Sequence, residues 1–326
     1  MKQILKLLVG ILIAALFMWL MLRHINLEEL KHSFSNTNSF WVLAAIMAFF
    51  IGYACRIERW HIMLKQDNPS LTWGNCSGPL LGSFAANNIL PFRAGDLLRS
   101  FAFNQQLGVS SGVVIATLFV ERLLDLLMVL VILGIALALF ALDVSSFVGV
   151  GSATLIALAL AIMLVLLFPQ LFRPLALAMA KLIARLSPNF GKKLQDEIHK
   201  SLATLSHLSK KGTMLRLLIW SSAAWIAEGS VFWCAALALR SLTAPEAAWL
   251  ALPIGTLATL IPSTPGYIGT FDYFIVQAMQ ALDNPINPAI AYALLVHALL
   301  WLPPTLLGGS YLLLNSIKNK NHTTQK

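Results

Sequence analysis

The stretch NNILPFRAGDLLRS, residues 87–100, decides how this chain is built. Apolar sequence flanks it on both sides. Within it stand Asn87, Asn88, Pro91, Arg93, Gly95, Asp96 and Arg99. Pro and Gly end helices, and Asn, Asp and Arg demand hydrogen-bond partners. Such a stretch fits a soluble surface loop. It also fits broken backbone at membrane depth, which is tolerated only where protein or a cavity surrounds it.

Composition chooses between these. Of 326 residues, 58% are hydrophobic and 11% charged, and the mean hydropathy is +0.76. Soluble domains run near about 45–50% apolar and about 25% charged. The chain is therefore read as an all-α polytopic membrane protein, a single integral membrane domain over 1–326. Cys55, Cys76 and Cys234 are scattered and form no disulfide framework or metal spacing. The seven His form no metal-binding motif, and there is no phosphate-binding glycine loop for ATP. No cofactor, metal or nucleic acid is expected.

A membrane helix needs about 20 apolar residues. Six runs qualify: 4–22, 39–55, 111–141, 149–168, 214–239 and 289–315. The first has a signal-like start but no small-residue cleavage site after a short core, and is read as retained. Lys and Arg then set orientation. Lys2 and Lys6 precede the first run, while Arg56, Arg59 and Lys65 follow the second. Segment 170–212 carries eight Lys or Arg against two acids, and Lys318, Lys320 and Lys326 end the chain. The links 142–148 and 283–288 carry none. This places both termini, 56–75 and 170–212 in the cytoplasm. The leftover regions, 76–110 and 247–282, must each leave and return on one side, from opposite faces. Both read as re-entrant helical hairpins. PFRAG (91–95) and PGYIG (265–269) share Pro and Gly at one spacing, as an inverted repeat would. In 190–211, Leu194, Ile198, Leu202, Leu205 and Leu208 recur at helical spacing. They mark an amphipathic cytoplasmic helix, either on the membrane surface or packed on the spans' inner ends.

The polar residues inside this apolar chain are the candidate site. Arg93, Asp96 and Arg99 recur every three residues. They serve either as boundary anchors or as a clamp, since guanidinium's planar fork matches phosphate. Glu121, Arg122 and Asp125 interrupt a long apolar helix, as a self-neutralising structural cluster or as part of the same clamp. Glu228, near mid-span, has no cation between Arg216 and Arg240. It is either proton-coupling or the buried partner of an Arg from another helix. In IPSTPGYIGTFDYF, residues 261–274, Pro262, Pro265, Gly266, Gly269 and Asp272 shape the second hairpin, whose half-helix N-terminus would attract anions. His297 is read as a packing residue.

Together NNILPFRAGDLLR, ERLLDL and PSTPGYIGTFD resemble the lysylphosphatidylglycerol synthase transmembrane-region, or flippase-like, family, which includes the membrane half of the bacterial multiple peptide resistance factor. Asp96 stands where that family usually has Glu. The resemblance implies lipid flipping, or support of envelope lipid or glycan pathways, in the bacterial inner membrane. The synthase activity is not expected, because the chain ends at NKNHTTQK. The leading expectation is a transporter of an anionic, phosphate-bearing lipid, with Arg93, Arg99 and Arg122 on the head group. The rival readings are an integral membrane head-group transferase and a non-transporting subunit of an envelope-synthesis complex.

Overall fold

The computed structural model describes residues 12–13, 15–21, 26–90, 93–142, 152–172, 174, 198, 200–261 and 264–323. Ten of the α-helices among these residues order the fold: α1 (Leu27–Ser35), α2 (Ser39–Leu64), α3 (Trp73–Ile89), α4 (Ala94–Phe101), α5 (Ser111–Leu139), α6 (Ser152–Leu167), α7 (Lys211–Ala238), α8 (Ala248–Ala258), α9 (Thr270–Gln280) and α10 (Ile286–Thr323). Side chains set several starts. Asn26, Asn38, Thr72 and Ser110 each accept a backbone N–H of the first turn, satisfying donors that a helix end leaves orphaned.

By length and composition, α2, α5, α7 and α10 can each cross a membrane; the chain is a multi-pass membrane protein. The run expected at 149–168 forms α6, only 16 residues long. Most of the expected first span, 4–22, lies outside the described residues, and 15–21 is helical. Pro262 and most of 170–197 also lie outside them. Residues 200–208 are helical and pack inward. Leu208 is fully buried, and Thr204 Oγ1 donates to Asp67 at 3.3 Å. This part takes the packed alternative for the amphipathic segment.

One expectation needs correction. The second span does not stop at residue 55 with Arg56 and Arg59 outside it. It runs to Leu64, and both Arg are buried within it. The physical reason is pairing: carboxylates on neighbouring helices replace the water that a boundary Arg would seek.

Both hairpins are present, and their ends are tied. Asn68 Nδ2 donates to the Leu107 carbonyl at 2.9 Å, so the chain leaves and returns beside one face. Thr243 N donates to Asn284 Oδ1 at 3.0 Å, which closes the second hairpin in the same way. Helix α10 shows that these faces are opposite. Near its start, Asn287 bonds Asn26 and Glu29. Near its far end, Tyr311 Oη donates to Gln106 at 3.0 Å. Along α10, α3 descends from Tyr311 and Leu312, which touch Gly78 and Gly82, to Asn88, which donates to Thr305 Oγ1 at 2.8 Å. Helix α9 begins beside His297 and continues in the same direction along α10, toward Asn284 at the opposite face. The two tips therefore meet beside Trp301, near the middle of α10. A Cβ on Gly266 would lie 2.7 Å from Trp301 Nε1 and 3.4 Å from the Asn88 carbonyl.

The halves repeat with inverted direction. In the first, α2 precedes the α3–α4 hairpin and α5 follows it. In the second, α7 precedes the α8–α9 hairpin and α10 follows it. Helices α2 and α7 pack on each other; α3 packs on α10 and, reciprocally, α8 on α5. Two apolar cores result, one around Trp60, Leu80, Leu107 and Leu124, the other around Phe232, Leu252, Ile275 and Tyr292. Inside a bilayer such packing rests on dispersion and close approach more than on expulsion of water. Gly95 is one such approach. A Cβ there would strike the Ser83 carbonyl and lie 2.7 Å from Asn87 Oδ1, so the two arms of the first hairpin need glycine to touch.

Candidate functional site

Between the cores lies a polar layer of ion pairs. Arg56 Nη2 meets Glu228 Oε2 at 2.6 Å, joining α2 to α7. Arg59 Nη1 meets Asp125 Oδ1 at 2.8 Å, joining α2 to α5, and also donates to Ser221. The same Asp125 oxygen accepts Trp225 Nε1 at 3.1 Å. Arg99 holds both Glu121 oxygens, at 3.0 and 3.2 Å, and its side chain has no exposure. Arg122 Nη2 lies 3.0 and 2.9 Å from the two Asp96 oxygens, and Asn87 Nδ2 adds a bond of 3.0 Å to Asp96. His297 Nδ1 lies 2.7 Å from Asp272 Oδ1, on the second hairpin. Charges at this depth survive because each has a partner; removing one partner of such a pair costs about 3–5 kcal/mol.

Arg93 breaks the pattern. Its Nε donates to Tyr267 Oη at 2.9 Å, across the two hairpin tips, and its guanidinium carbon sits 5.9 Å from the centre of that ring. Among the described residues no carboxylate pairs with it, although Arg56, Arg59, Arg99 and Arg122 each have one. Both bonded residues are strained, with left-handed backbone at φ 53° for Arg93 and 60° for Tyr267. A non-glycine residue in that region costs about 1–3 kcal/mol and persists only where its surroundings impose it.

A cavity of about 210 Å³ opens where the tips meet. Asn87, Asn88, Arg93, Arg122, Glu228 and Gly266 line it, with Tyr267, Phe271, His297 and Trp301. Among the described residues, the buried Trp301 indole N–H has no hydrogen-bond partner. One unpaired Arg fork and one orphaned N–H thus stand at one small cavity. Oxygen atoms of an anion can satisfy both.

The candidate residues from the sequence fall into two groups. Those six lining residues come together, and Asp96 and Asp272 reach the cavity through Arg122 and His297. Gly269 turns the chain into α9 with φ 88°, and its N–H donates to Asp272 Oδ2 at 2.9 Å. Pro265 opens the turn that carries Tyr267. Arg99, Glu121 and Asp125 lie elsewhere: Arg99 is sealed on Glu121 over the Trp60 ring, 5.0 Å from its centre, and does not reach the cavity. Reading the sequence missed Arg56, Arg59, Tyr267 and Trp301, and treated His297 as packing alone. A signal for Arg56 existed. Glu228 had no cation in its own span, and Arg56 stands at the edge of an apolar run that resumes, after Trp60 and His61, as IML.

Comparison with known proteins agrees with this architecture. Over 319 residues the chain is 23% identical to a protein of Haloferax volcanii named Glycosyltransferase AglD, a match that covers 89% of this chain and 51% of that one. It thus spans about half the length of that relative. The family model described as "Lysylphosphatidylglycerol synthase TM region" matches residues 7–308, and the chain belongs to that family.

Proposed function

We propose that this protein is a flippase-like transporter of an anionic, phosphate-bearing lipid, a phospholipid or polyprenyl phosphate, in the bacterial inner membrane. The observation that carries the reading is Arg93. It is a strained arginine with no carboxylate partner among the described residues, and it faces a cavity formed by two oppositely entering hairpins. Arg122 brings a second fork to the same cavity. Its side chain is 36% exposed, the most open of the paired arginines. The cavity suits a head group, and the acyl or prenyl chains stay in the surrounding lipid. Discontinuous helices meeting near the midplane are the arrangement by which inverted-repeat transporters expose one site to either side. The excess of Lys and Arg on 170–212 supports a cytoplasmic location for the face carrying Asn68, and for both termini.

The relative's name favours a second reading, a lipid head-group transferase. That name belongs to a protein about twice as long, so the activity has no assigned place in the shared half. Purified protein in liposomes, with a fluorescent anionic phospholipid and no nucleotide or divalent metal, separates the two. The transporter reading expects the outer-leaflet reductant to reach nearly all of the label, with faster loss than in empty liposomes. Protection of the inner-leaflet half, as in empty liposomes, overturns it.

A further inference from the structure

The inverted repeat places two polar pairs at equivalent positions. In the first half, Arg122 on α5 grips Asp96 at the start of the hairpin's return arm, 26 residues earlier. In the second half, His297 on α10 grips Asp272 at the start of its return arm, 25 residues earlier. Each pair fastens a hairpin to the helix that follows it. The first is a permanent ion pair. The second uses imidazole, the side chain that changes charge between about pH 5 and 8.

We propose that the His297–Asp272 pair is a proton-binding site that fastens the second hairpin when protonated and loosens it when neutral. Its role in transport rests on the reading above; its structural claim does not. Asp272 Oδ2 accepts the Gly269 N–H, and Oδ1 faces His297 Nδ1. With Asp272 ionised, Nδ1–H donates to it, and the added proton goes from water to Nε2. No other bond changes. An imidazolium–carboxylate pair then replaces a neutral donor on a carboxylate, a stronger bond. Asp272 is 2% exposed at its side chain and His297 15%, so the carboxylate is shielded and the imidazole borders the cavity. The Phe271 ring stands edge-on to the imidazole, 5.3 Å between centres, which limits its rotation.

The charged and titratable groups around His297 are few. Besides Asp272, α7 offers Glu228, held by Arg56 of α2. The first hairpin offers Arg93 and α5 offers Arg122, both on the cavity wall with Tyr267. Glu29 of α1 meets α10 further up, at Asn287. Glu228 is committed to an arginine and Asp96 to another, whereas His297 holds no fixed charge.

The test reads the hairpin directly. A nitroxide is placed by Ile268→Cys at the exposed second tip; the native cysteines are buried and free. Spectra of the full-length protein in detergent are recorded from pH 5 to 8. The proposal expects two components whose ratio changes by about fivefold or more, the lower bound of a usual coupling between sites. His297→Gln should abolish the change, and His297→Arg should hold the low-pH component throughout. If His297→Gln fails to fold, Asp272→Asn should likewise flatten the response. A wild-type spectrum constant with pH, or a response that survives either neutral variant, overturns the proposal. Lipid movement measured in parallel keeps the two claims apart. A responsive tip with no lipid movement leaves the proton site standing and sinks the transporter. Lipid movement with an unresponsive tip does the reverse.

Discussion

The first hairpin is riveted and the second is not. Arg99–Glu121 and Arg122–Asp96 tie α4 to α5 with permanent charges, and Gly95 lets the two arms touch. The second hairpin lies in an apolar core of Leu252, Phe271 and Ile275, with Asp272–His297 and the Tyr267 bond to Arg93 as polar ties. Permanent ion pairs in a dry layer resist displacement because separating them exposes two unsolvated charges. Apolar surfaces inside a bilayer are held by packing alone and leave no unsolvated charge when they part, because lipid tails are as apolar as the side chains they replace. The difference marks the first hairpin as the fixed wall of the cavity and the second as the wall able to move.

The sharpest way to break this contrast is Arg99→Ala. Glu121 is left buried without its partner, and a loss of about 3–5 kcal/mol is expected, read as failure to accumulate in the membrane or as a large fall in unfolding temperature in detergent. Asp272→Ala in the second hairpin should cost clearly less in the same assay. Equal losses would end the distinction between a riveted and a loose hairpin.

Gly95→Ala is expected next. Its Cβ would meet the Ser83 carbonyl, so the arms must separate, at a cost of about 1–3 kcal/mol by overpacking. Gly266→Ala bears a positive φ of 70°, worth about 1–2 kcal/mol, and its Cβ would meet the Trp301 side chain rather than backbone. Detergent unfolding curves of both variants should rank them in that order.

Glu228→Gln sharpens the account of the polar layer. The amide keeps the shape and one acceptor for Arg56 but loses the charge. Partial destabilisation is expected, smaller than for Arg99→Ala, since the pair is 10% and 18% exposed and borders the cavity. Thermal unfolding with stability equal to wild type would show that the Arg56–Glu228 pair carries nothing.

The two hairpins were legible because they depend on residues whose physics is one-dimensional. Lys and Arg flank spans, and Pro and Gly end helices, so two same-side hairpins followed from charge bookkeeping alone. The polar layer was not legible in the same way. Arg56 and Arg59 look identical in sequence whether they seek water or a carboxylate, and only the packing of α2 on α7 and α5 decides. The strain at Arg93 and Tyr267 is likewise invisible, because a left-handed residue there is imposed by tips that meet from opposite faces. Arg99 was misplaced because its periodicity with Arg93 and Asp96 implied one shared face. The chain instead turns at Arg93, which caps α4, and Arg99 points to α5.

The central claim is that Arg93, at the meeting of the tips, holds a phosphate-bearing lipid. The most direct measurement is mass spectrometry of lipids retained by the purified protein, comparing wild type with Arg93→Ala and Arg93→Lys. Arg93 bonds only Tyr267 among the described residues, so Ala should leave folding nearly intact. The account predicts an anionic phospholipid or polyprenyl phosphate on the wild type. It predicts loss of that lipid from Arg93→Ala, and weak recovery by Lys, which lacks the planar fork. Retention of the same lipid by a folded Arg93→Ala variant would contradict it.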